Sequence, residues 1–414
     1  MGPTMGLGTG LAVAAPSAHP GGDTPHVAVP IGIVVLATVA VVVVAAVAVP
    51  PRRATGTDGE ADVGVEESTT SWAGTLTRPQ WVVRAIGLAT LLLAVLAGRV
   101  GADDELENLA PALVVGAGLP LLVVGSLVLG RLWRWVDPWD SLARLVAPGD
   151  RSGPPGHVWP AVVAVLPLLW FLGVYPRPLD PRAVGLALAA YTVVTLAGCL
   201  ATGRVRWLAS AEPLGALLSW FGLVPRRRLT AWRPPAGAAV LLGVVIGGLL
   251  FGALRRTELW SPVAVLPLAT LYATAGLLVA CALGGATAVL AGRAGGSPEQ
   301  RAVVARALVP VAAGVVVAVS VARNRLSTSV QLLPGLVGDP LGRGWDLLGT
   351  PTDGLDAAPL GAVGLVVLQL TVVTLAHLLG AATAPRALVG DERLPVIVLL
   401  AGSVAAGAAT LSLH

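Results

Sequence analysis

The chain contains no lysine, so all 27 of its basic residues are arginine and no ε-amine is available for Schiff-base chemistry. It has only two cysteines, Cys199 and Cys281, each inside an apolar run. That excludes a disulfide framework and zinc-finger spacing, and leaves small hydrophobic packing as their expected role. Charged residues make up 12% of the 414 and aromatics 4%, too little polar surface for a separate globular domain or a nucleic-acid-binding face.

What the chain does have is apolar length. Hydrophobic residues reach 55% and the mean hydropathy is +0.80, with apolar runs of about 20 residues recurring along the sequence. These features predict an all-α polytopic transmembrane helical bundle. Ten spans are expected: Ile31–Val49, Val83–Gly98, Leu109–Gly130, Val158–Val174, Arg182–Thr202, Ala236–Leu254, Val263–Leu290, Ala302–Val321, Ala358–Thr383 and Leu394–Leu413. Residues 1–30 read as an external tail and 31–414 as one integral membrane domain. Breakers such as Gly118-Leu119-Pro120 lie inside spans, where neighbouring helices can satisfy the freed carbonyls. Gly243 and Gly247 form a GxxxG pair, and Gly361 and Gly364 offer further sites of close helix approach.

Arginine sets the orientation. The loops 50–80, 131–157, 203–235, 292–301 and 384–393 hold 17 arginines, and Arg84 and Arg306 at adjacent helix ends make 19, against 8 on the other side. The positive-inside rule therefore places those loops in the cytoplasm of a cell-membrane protein, with both termini outside.

Within the second of these loops, "RLWRWVDPWDSLARL" crowds arginine, aspartate and tryptophan together. Asp137 reads as an N-cap, Pro138 as the first helical residue and Asp140 as an acidic neighbour of the cap. From there Trp139, Leu142, Ala143 and Val146 share one face, while Asp140, Ser141 and Arg144 share the other. That pattern suits an amphipathic helix on the inner membrane surface, anchored by Asp137 and Trp139. The loop 203–235 repeats the plan with "RVRW", Glu212-Pro213 and an apolar run, giving a second interfacial helix. The bilayer is thus one partner, with anionic lipid at the inner face a further candidate. The sequence names no protein partner and no cofactor.

Candidates for chemistry are few. No aspartate or glutamate falls inside an apolar span, which argues against a carboxylate-driven carrier. Gln369, Thr374 and His377 on the ninth span are the main polar residues inside the membrane, and an interhelical hydrogen bond is the plainer role for His377. Arg323 and Arg325 in "ARNR" close the eighth span on the outer side, against the charge rule, where they can bind an anion or pair with outer carboxylates. Asp339, Asp346, Asp353 and Asp356 lie among glycines and prolines without calcium-loop spacing, and read as turn residues. His19, Asp23 and His26 in the tail are weak candidates for a transition metal.

The ordered segments "ENLAPALVV", "VDPWDSLAR", "YPRPLDPRAVGLALAAYTVVT", "DPLGRGWDLLGT" and "LAHLLGAATAPRAL" resemble a family of bacterial polytopic membrane proteins known as fenitrothion hydrolases. The resemblance spans most of the chain, from His19 to Arg386. It implies hydrolysis of an organophosphate triester, chemistry that calls for a metal-bound water or a strong general base. Of the family's recurrent histidines, His19 and His377 stand in this chain. Two classes of function follow: a membrane-embedded hydrolase of a lipophilic ester, and a non-catalytic permease or membrane scaffold. The absence of a catalytic constellation in the sequence and the outer arginine pair favour the second.

Overall fold

The computed structural model describes residues 78–130, 132–146, 156–225, 228–294, 297–322, 325–349, 360–383, 396–398 and 400–403. The expected first span, Ile31–Val49, and the tail with His19, Asp23 and His26 lie outside them, as does Arg323. The described residues form an all-α bundle with no strand; the one β-bridge, His157 with Ala236, is isolated.

Six helices are long and apolar enough to cross a membrane: α1 (Arg78–Val100), α2 (Leu109–Leu129), α6 (Pro181–Thr202), α11 (Ala269–Arg293), α12 (Pro298–Val321) and α14 (Gly361–Thr383). Two shorter apolar helices, α5 (Trp159–Gly173) and α9 (Ala238–Leu254), accompany them. Between these run α3 (Leu132–Val136), α4 (Pro138–Val146), α7 (Arg204–Ser210), α8 (Pro213–Phe221), α10 (Ser261–Ala264) and α13 (Arg325–Gly338). Eight of the ten expected spans are thus helices close to their expected limits. Of the tenth, 396–398 and 400–403 are described, and they are helical.

Helix starts follow local chemistry. Asp180, Glu212 and Ser297 each cap a helix whose next residue is proline, accepting from backbone amides two or three residues on. Proline at that position sacrifices an amide that would have had no intrahelical partner.

The bundle is organised about α12, whose Val-, Ala- and Gly-rich surface is buried almost throughout. Helices α14, α9 and α11 pack on it most extensively. Where backbones meet, glycine removes the obstructing Cβ. A Cβ on Gly243 would strike the carbonyl oxygen of Gly284, and one on Gly284 that of Gly243, while Gly247 faces Ala280 in the same way. The Gly243/Gly247 expectation therefore holds, as the seam between α9 and α11. The expectation for Gly361 and Gly364 fails: Gly361, at φ +59°, has nothing within 4 Å, and Gly364 meets only Leu360 of its own chain segment. On α14 it is Gly380 and Ala376, further along, that meet α12 at Ala307 and Gly314.

Candidate functional site

The short helices between spans carry the charge, and they fold inward. Asp140 on α4 is fully buried, and three arginines converge on it. Arg84 of α1, itself fully buried, binds Oδ2 through Nη1 and the Arg134 carbonyl through Nη2 at 2.7 Å. Arg204, at the start of α7, binds Oδ1, and Arg144, one turn along α4, places Nε 3.0 Å from Oδ2. The cap expected at Asp137 is present: its Oδ1 accepts from the amides of Trp139 and Asp140, both at 3.0 Å.

The interfacial role expected for Asp137 and Trp139 is not. Both are buried, with Trp139 Nε1 donating to Thr192 Oγ1 at 3.1 Å and its ring edge-on to Tyr191. Leu145 and Val146, at the end of the same helix, are exposed instead. Polarity alone sends Asp140 and Ser141 to water; Arg84 and Arg204, from helices distant in sequence and near in space, draw them inside. The second expected surface helix, α8, is likewise enclosed, with Leu217, Leu218, Trp220 and Phe221 all buried. Exposed tryptophans at this arginine-rich end are Trp81, Trp135 and Trp159.

Beside this cluster lies a second buried acid. Glu212 caps α8, accepting from Leu214 N at 3.0 Å and Gly215 N at 2.5 Å, and from the Tyr191 hydroxyl. The Trp133 indole crowds the same place: a Cβ on Gly215 would collide with Glu212 Oε2 and stand 3.1 Å from Trp133 Nε1. That indole N–H is buried and has no hydrogen-bond partner. Burial first, and then the negative charge of Asp137, push the Glu212 carboxyl up to about 7. Acids absent from the spans are thus supplied to the interior by the short helices, which removes the sequence argument against buried carboxylates.

A second irregularity sits toward the opposite end. Residues Ala112–Gly118 of α2 form a π-helix, a rare form found frequently at functional sites. Helix α13 packs against it, with Ser329 so close to Gly116 that any Cβ there would overlap the serine side chain. Further along the chain, Gly342 approaches Ala102 and the Glu107 carbonyl, so α13 runs antiparallel to the start of α2. Arg325 stands where the sequence expects it, just past the end of the 24-residue α12, and begins α13.

The remaining candidates do not converge. His377 is fully buried, with Nδ1 2.7 Å from the Val373 carbonyl and Nε2 2.9 Å from Ser403 Oγ, the interhelical bond expected of it. Gln369, two turns away on α14, donates from Nε2 to the Ala318 carbonyl of α12 at 3.1 Å. Asp339 closes a turn through the amides of Arg343 and Gly344, as expected, whereas Asp353 and Asp356 lie outside the described residues. Among the described residues no group of three histidine, cysteine or acidic side chains is placed to hold a metal ion. Sequence reasoning missed Arg84 as a site residue; a lone arginine seven residues into an apolar helix was the available signal.

No family model, no curated protein and no solved structure matches this chain. The resemblance to fenitrothion hydrolases rests on the quoted segments alone.

Proposed function

We propose that the protein is a multi-pass membrane permease for a small anionic solute, without catalytic activity. One observation carries the reading. Helix α13, which begins with the cationic Arg325 directly after the end of α12, packs against the π-helical part of α2. Discontinuous helices that end inside a membrane bundle are how many transporters build a solute site, because irregular backbone is tolerated at depth only where protein or a cavity satisfies it. The arginine bias is consistent with the Asp140 cluster facing the cytoplasm and with solute entering from the π-helix end.

The hydrolase reading needs an activated water. The described residues hold no three-residue metal site, and both ring nitrogens of the buried His377 are engaged. The test of the permease is uptake of radiolabelled phosphate, sulfate and acetate into proteoliposomes holding the full chain. At least one anion should accumulate above protein-free vesicles, and Arg325→Gln should reduce its uptake at least tenfold. Uptake that equals the protein-free control for all three, or that is unchanged by Arg325→Gln, contradicts the reading.

A further inference from the structure

We infer that Glu212 is a proton-binding site, a buried carboxyl at the arginine-rich end that exchanges one proton with the adjoining aqueous phase. The inference is independent of the anion path at Arg325. Glu212 and Asp140 are both buried acids, and their surroundings differ in kind. Asp140 is held by the guanidinium groups of Arg84, Arg144 and Arg204, all charged donors. The bonds to Glu212 come from the Tyr191 hydroxyl and two backbone amides, all neutral donors. A second neutral donor, the Trp133 indole N–H, is buried against Gly215 beside the carboxylate without a partner of its own.

The ionisable groups around the site come from several helices. Helix α6 contributes Tyr191 and Cys199, the α3–α4 corner Asp137 and Asp140, and α7 Arg204, with Arg84 of α1 behind Asp140. Helices α2, α5 and α8, which pack on the same region, carry no ionisable side chain, and α12 contributes Glu299 and Arg306 at its start, paired at 2.7 Å. Burial first, and then the negative charge of Asp137, raise the Glu212 carboxyl to about 7. A proton taken from water onto a Glu212 oxygen converts the carboxylate to the neutral acid. The Tyr191 hydroxyl, a donor to the anion, can then accept from the new O–H. Net charge changes by one and no other bond is made or broken. The free energy of that change falls on α8, whose first-turn amides Glu212 caps, and on Tyr191 of α6.

Infrared difference spectroscopy of the purified full chain, in lipid nanodiscs, reads the protonated carboxyl directly through its carbonyl stretch. The band should be present at pH 5, fall as pH rises through about 7 and be gone by pH 9. It should be missing from Glu212→Gln. In Tyr191→Phe, which keeps the acid and removes a donor to its anion, the midpoint should move to higher pH. That variant decides the matter even if Glu212→Gln does not assemble. A wild-type spectrum without a pH-dependent carboxyl band, a band that survives in Glu212→Gln, or a midpoint unmoved in Tyr191→Phe overturns the assignment.

Discussion

Asp140 shows how far a single residue's environment departs from its local sequence. Its own helix presents an alternation that belongs on a membrane surface, yet the side chain is wholly enclosed because Arg84 and Arg204, 56 and 64 residues away, meet it there. Nothing within a helical turn announces those partners, so the cap at Asp137 was legible and the burial of Asp140 was not. Breaking a buried pair is costly because it leaves the other charge uncompensated. Asp140→Ala should destabilise the protein by about 3–5 kcal/mol, read as a lower midpoint of thermal unfolding in detergent. Arg177→Ala, which removes an exposed partner of Asp180 at 3.7 Å, should cost less than about 1 kcal/mol by the same measurement. Equal losses in the two variants would show that the Asp140 cluster is solvated.

At the scale of elements, apolar length identified eight helices, six of them long enough to cross a membrane, since a run of some 20 apolar residues has few other uses. Prolines preceded by a capping residue fixed where α4 and α8 begin. Two elements escaped. The π-helix in α2 packs against α13, a contact that leaves no compositional mark beyond glycine and proline. Helix α13 itself, 14 residues with proline and several hydroxyls, reads as an outer loop until Ser329 is seen against Gly116. Close packing was legible only where glycines from two helices happened to meet. Gly243→Ala would press a methyl group into the Gly284 carbonyl, backbone that cannot swing aside, and should cost about 1–3 kcal/mol. Gly364→Ala, with only Leu360 near it at 3.3 Å, should be neutral or slightly stabilising. Thermal unfolding of both, side by side, checks the seam; a neutral Gly243→Ala would mean that α9 and α11 do not approach as closely as described.

Across the described residues, the buried acids Asp137, Asp140 and Glu212 gather at one end, on and beside short helices folded between the long apolar ones. Net composition and arginine bias locate that end in the sequence but say nothing of which way its side chains face, because the partners that decide it are brought together only by the packing of α1, α4, α6 and α7. Ser141 separates the two arrangements. On a surface helix its side chain meets water; in this fold it is 2% exposed, donating to the Asp137 carbonyl at 2.7 Å beneath Arg84. The direct measurement is the rate at which a hydrophilic thiol reagent modifies Ser141→Cys, in a background where Cys199 and Cys281 are alanine, compared with Thr230→Cys on an exposed loop at the same end. The folded protein should protect position 141 while position 230 reacts freely, with both reacting alike after denaturation; modification of Ser141→Cys in the folded protein as fast as Thr230→Cys would contradict the inward fold of α4 and the enclosed site built on it.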